Sequence, residues 1–157
     1  MEKVINKKVV SRFLFCVIMT AFVLCNPVSA ANNNIEVEHL SDGGYFITEI
    51  IENDSPEETR ASGAKTGSKI GWYYDEQGNA CWYVRVTASF SYNGSTSICS
   101  GVAVSADEVS SGWKITAKTT SRTGNSGTAS ATARRSSDGK TFTKTVTLTC
   151  DKNGNLS

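Results

Sequence analysis

One histidine, two prolines and two methionines in 157 residues close off several kinds of chemistry at the outset. With His39 alone, no multi-histidine metal centre can form, and the cysteines and carboxylates stand at none of the usual zinc spacings. The tail Asp151–Asn155 copies the first half of a calcium loop but lacks the glycine at its sixth position and the closing glutamate, so it reads as a polar end. Residues 63–69 hint at a phosphate loop, yet Ser68 stands where the pattern needs glycine, and no helix follows. No metal and no cofactor is expected.

Long apolar runs are also missing. The longest, FLFCVIMTAFVLC (Phe13–Cys25), covers 13 residues and stops at Asn26-Pro27. A membrane-spanning helix needs roughly 20. Behind the basic Lys3, Lys7, Lys8 and Arg12, and followed by Val28-Ser29-Ala30, this run reads as an export signal cleaved after Ala30. The protein is therefore expected to be secreted, with no membrane span once the signal is removed, and Cys16 and Cys25 leave with it.

Positive charge is absent from one region. Residues 31–59 hold eight carboxylates and no Lys or Arg, whereas from Arg60 onward there are 12 basic and six acidic side chains. The pattern divides the chain into a signal (1–30), an acidic arm and linker (31–64) and a body (65–157). The arm reads either as a solvated leader or as a clamp held to the basic body. Tyr45–Ile51 (YFITEII) has the composition of a strand, and ASGAKTGS (61–68) that of a linker. Lys114, Lys118, Arg134 and Arg135 have no aromatics interleaved, and an exported protein meets little nucleic acid, so no nucleic-acid partner is expected.

Alternation with period two dominates what remains. WYVRVTASFSYNG (82–94) sends Trp82, Val84, Val86, Ala88 and Phe90 to one face and Tyr83, Arg85, Thr87 and Ser89 to the other, then turns at Asn93-Gly94. Upstream, a loop over Glu76-Gln77-Gly78 pairs Tyr74 with Ala80 and Trp72 with Trp82, so Ile70, Trp72 and Tyr74 are expected inward and Tyr73 outward. Downstream, a two-residue turn sets Ala88 against Cys99 and turns Ile98, Val102 and Val104 outward. Trp113, Ile115 and Ala117 begin another inward face. Ala129, Ala131 and Ala133 continue the pattern, then Val146, Leu148 and Cys150 beside a ladder of threonines. Short strands with close turn signals and no helical period predict an all-β, antiparallel immunoglobulin-like sandwich of about six to seven strands.

Export favours a disulfide among Cys81, Cys99 and Cys150. Cys81, next to inward Trp82, is expected outward as a free thiol, which leaves Cys99 and Cys150 to pair across the core. As a nucleophile Cys81 would need His39 beside it, the one discriminator for a small secreted hydrolase. Asp75-Glu76 and Asp107-Glu108 sit at turns, where acids are ordinary. The outward Tyr73 and Tyr83, with Arg85 beside them, form a candidate platform for stacking on a sugar or clamping a peptide.

The segments DGGYFITEI (42–50), residues 65–100, the SGWKITAKTTSRTGNSGTASATA run (111–133) and TKTVTLTCDKNGNLS (143–157) resemble a family of small secreted proteins of Gram-positive bacteria, clostridia and their relatives, built on a domain of unknown function. The resemblance implies secretion and this fold, and no activity. It also implies cysteines at the positions of Cys99 and Cys150 and an apolar residue in place of Cys81. The functional expectation is a non-enzymatic binding or surface-interaction module, with a cell-envelope glycan or another extracellular protein as partner. The alternatives are a small hydrolase using Cys81 or an acidic pair, and a secreted inhibitor or competition factor presenting an extended hairpin tip at Asp75–Asn79.

Overall fold

The computed structural model describes residues 35–52 and 62–157. The export signal and its cleavage after Ala30 lie outside these residues, as does Ser55-Pro56. Eight strands follow in order: β1 (Glu36–His39), β2 (Tyr45–Glu52), β3 (Gly63–Tyr74), β4 (Ala80–Tyr92), β5 (Ser97–Glu108), β6 (Trp113–Thr123), β7 (Ser126–Arg135) and β8 (Thr141–Thr149). β1–β5 form one sheet and β6–β8 a second, each with its strands in sequence order and every pairing antiparallel. The two sheets pack face to face as a β-sandwich.

The described part of the arm is not a separate element. β1 and β2 complete the five-stranded sheet, and residues 63–68, expected to be a linker, begin β3 and pair with β4. Three arm carboxylates reach cations further along: Glu36 to Lys69 (3.7 Å), Glu38 to Lys144 (2.7 Å) and Asp42 to Arg135 (3.0 Å).

Between the sheets, the inward faces form one core. At one end Tyr73, Trp82, Trp113, Phe46 and Phe142 meet edge-on, tilted and, for Tyr73–Trp82, stacked, with centroids 4.8–6.5 Å apart, geometries that aromatic quadrupoles favour. At the other end the sheets come close because β7 offers only Gly127, Ala129, Ala131 and Ala133. A Cβ on Gly127 would lie 2.8 Å from that of Ala88, so only glycine fits.

Three bulges set which side chains face this core. Between Tyr74↔Ala80 and Tyr73↔Trp82, Cys81 is an extra residue without a cross-strand partner. The expected Tyr74–Ala80 pair forms, but the bulge then moves the register by one. Tyr73 turns inward, fully buried, and Trp72 turns outward opposite Tyr83. This corrects the expected orientation of both, and of Tyr74 and Ile70, which share the outward side with Trp72 by register, although Ile70 is buried there at 1% exposed. The bulge also carries Cys81 inward beside Trp82, at 3% exposed. In β5, a four-residue loop, Asn93–Thr96, brings Cys99 opposite Phe90, and the extra Ser100 then reverses the phase. Val102 and Val104 therefore face Ala88 and Val86 and pack on the core rather than outward, while Ile98 is exposed. In β6, the bulge at Thr116 leaves Ala117 exposed and puts Lys118 opposite buried Ala131.

Candidate binding face

With the inner face of the five-stranded sheet committed to the core, its outer face carries the groups able to meet a ligand. The registers define its rows. Val37, Ile47, Trp72, Tyr83 and Asp107 lie side by side across all five strands. His39, Tyr45 and Tyr74 form the next row, and Glu49, Ile70, Arg85 and Ser105 the one on the other side. Neighbouring strands are about 4.8 Å apart, so aromatic rings in one row touch. The rings of Trp72 and Tyr83 are 4.9 Å apart and tilted by 46°, and those of Tyr45 and Tyr74 are 5.3 Å apart and nearly parallel. All four are half-buried, which leaves part of each ring open to solvent.

Hydrogen bonds orient the centre of this face. Tyr83 Oη donates to Asp107 Oδ2 (2.8 Å) and lies 3.3 Å from Ser105 Oγ. Arg85 Cζ stands 5.9 Å from the Tyr83 ring centroid. Of the three expected ligand-binding residues, Tyr83 and Arg85 are therefore adjacent on one face, and Tyr73 is not. Tyr73 lies in the core, its hydroxyl donating to Asp42 Oδ2 (3.3 Å), and burial beside that carboxylate pushes its pKa up to about 12. Trp72 takes its place on the platform. The signal for that exchange is the double residue Cys81-Trp82 after a tight turn, which a strict period of two cannot display.

Away from this face, a cavity of about 190 Å³ opens between the β1–β2 and β3–β4 turns, lined by Asp42, Tyr73, Asp75, Glu76, Gln77, Trp113 and Arg135. Its groups are largely engaged with one another. Arg135 is held by Asp42 and by both oxygens of Asp138, and lies over the rings of Trp113 and Phe142. Asp75 accepts from the backbone of Gln77 and Asn79 and from the Asn79 amide, which lowers its pKa. The hairpin tip Asp75–Asn79 is thus a tight, self-bonded turn and not an extended one.

Asp151 repeats that turn, accepting from the backbone of Asn153 and Asn155 and from the Asn155 amide. Donors already occupy its oxygens, the opposite of a calcium ligand's situation. No cluster of three or more metal-ligating side chains occurs among the described residues.

The cysteines differ from expectation. Cys81, Cys99 and Cys150 are all buried free thiols. The Cys99–Cys150 bond is not formed: Cys99 Sγ donates to the Gly101 carbonyl (3.3 Å) and Cys150 Sγ to that of Asp151 (3.5 Å). Cys81 is free as expected, but it lies inside, donating to the Asn79 carbonyl (3.4 Å). Burial raises its pKa, with Asp75 adding to the effect. His39 stands exposed on β1, three strands away across the sheet, on the order of 14 Å from strand spacing alone. The two do not form a catalytic pair. No protein-family model, curated protein or solved structure matches the chain.

Proposed function

We propose that the protein is a secreted, non-enzymatic binding module that takes an extracellular glycan of the cell envelope on the outer face of its five-stranded sheet. The observation that carries this reading is the Trp72–Tyr83 pair: two half-buried rings, 4.9 Å apart, on the outward side of the five-stranded sheet, opposite the face that packs on the core. A pyranose ring presents axial C–H groups to such a surface, and aromatic side chains supply large contact area at little conformational cost. Thr87 and Ser105 on the same face add hydroxyls for the sugar's rim. The buried thiols and self-satisfied acid turns described above offer no comparable site for a hydrolase, and the short tip at Asp75–Asn79 gives no support to an inhibitory loop.

Binding to a glycan array, followed by fluorescence titration with whatever oligosaccharide is retained, tests the reading. Trp82 and Trp113 are buried, so a ligand on this face should perturb Trp72 emission. Trp72→Ala and Tyr83→Ala should each remove retention while the fold persists. Retention unaffected by both variants would remove this face from consideration.

A further inference from the structure

The same face holds one group that its neighbours leave unused. Arg85 is half-buried, with Nε shut off from solvent and without a hydrogen-bond partner. It makes no ion pair or hydrogen bond with any described residue, and its guanidinium lies over the Tyr83 ring. This is unusual for a guanidinium, whose five N–H donors normally find carboxylates or carbonyls when partly withdrawn from water. The other buried-face cations show the norm: Lys69, Lys144 and Arg135 each hold a carboxylate, and Lys118 and Arg122 each hold a backbone carbonyl. Nearby acids do not neutralise Arg85. Asp107 is taken by the Tyr83 hydroxyl, and Glu49 lies two strands away, beyond Ile70. Among the described residues of this face, Arg85 is the one lysine or arginine.

We infer that the face selects a glycan bearing a carboxylate on its sugar ring, a hexuronate, and that Arg85 reads that carboxylate. The inference rests on the stacking reading above and goes further by naming the sugar's charge. A ring seated on Trp72 and the open part of Tyr83 carries a C5 carboxylate at its edge, directed toward the guanidinium that lies over the Tyr83 ring, 5.9 Å from its centroid. Charge-assisted N–H to carboxylate contacts run at about 2.7–2.9 Å and are about twice as strong as neutral ones. The planar guanidinium matches the planar carboxylate through paired donors, a geometry that lysine cannot copy. Stacking gives affinity for the sugar, and Arg85 gives preference for its acid form.

The test needs one ligand in two charge states. The folded protein is titrated at low salt with an oligogalacturonate and with the same oligosaccharide methyl-esterified, following Trp72 emission and calorimetric heat. The acid form is expected to bind about tenfold or more tightly than the ester, as one strong charge-assisted contact implies. In Arg85→Gln the acid and the ester should bind alike. In Arg85→Lys the preference should be weaker than in the native chain. Trp72→Ala should lose both. Equal binding of acid and ester to the native protein overturns the inference while leaving the stacking reading intact. Binding of neither form overturns the inference, and the stacking reading then rests on the glycan array alone. Tight binding of polyglutamate without sugar binding also overturns both and makes the partner an acidic protein segment.

Discussion

Tyr73 faces Trp82 directly across β3 and β4, with ring centroids 6.1 Å apart, because Cys81 is crowded into β4 without a partner. That single added residue decides which aromatics build the core and which build the surface. Tyr73 and Trp82 are wholly buried, whereas Trp72 and Tyr83, each one residue away in sequence, lie outside.

Truncation separates the two pairs. Tyr73→Ala and Trp82→Ala should each destabilise by about 3–5 kcal/mol, the range for deleting a large buried aromatic. Trp72→Ala and Tyr83→Ala should cost well under half of that. Urea denaturation of the four variants gives the order, and a large loss at Trp72 with a small one at Tyr73 would mean that the bulge is misplaced.

Tyr73 also ties stability to alkaline pH. Its pKa is raised to about 12 from 10.0 by burial and by Asp42. Below pH 10 the hydroxyl is protonated in the folded and unfolded chain alike, so it adds no pH dependence. Between pH 10 and 12 the unfolded chain has lost this proton and the folded one keeps it, so stability falls as pH rises. The loss is on the order of 2–3 kcal/mol across those two units. Tyr73→Phe should flatten that part of the stability curve.

Acid acts through Asp138. Paired with Arg135, its carboxyl is held at about 2 against an ordinary 3.8. A depressed carboxylate contributes stability that is fully present above its unfolded value and is lost as pH falls toward 2. Arg135 also holds Asp42 in the β1–β2 turn, so the amides of that hairpin should exchange faster through this range. Asp138→Asn should show the faster exchange at neutral pH already, and an unchanged exchange profile would separate Asp138 from the hairpin.

Thiol chemistry should report burial. Burial pushes the Cys81 and Cys150 thiols up in pKa, and all three cysteines of the folded body are shielded. An aromatic disulfide reagent should label none of them in native buffer and all three in urea. Rapid native labelling at Cys81 would place it outside, where simple alternation puts it.

The β grammar, the sandwich and the inward run Trp82–Phe90 were legible because a period of two survives wherever a strand is regular. What the sequence hides is where that period breaks. Cys81, Ser100 and Thr116 look like ordinary strand residues, yet each is an extra one, and each reverses the faces beyond it. The platform was half visible: Tyr83 and Arg85 lie on the regular side of β4, whereas the Tyr73–Trp72 exchange depends on the bulge. The acidic arm was visible as charge and, at Tyr45–Ile51, as one strand, but its partners were not, because its cations, Lys69, Arg135 and Lys144, are distant in sequence.

Those pairings have a consequence for how the molecule assembles. Lys118, Arg122, Arg135 and Lys144 all belong to the three-stranded sheet, and their acceptors Ala106, Ser100, Asp42 and Glu38 lie in the five-stranded sheet or in its β1–β2 turn. Residues 35–108 carry twelve acidic and four basic side chains, whereas residues 109–157 carry two acidic and eight basic. The chain crosses between the sheets once, at 109–112. Each sheet thus draws on its own contiguous stretch of chain, and the two stretches carry opposite charge across a short connection. The two stretches attract each other over the screening length, so folding is expected to slow as salt is added.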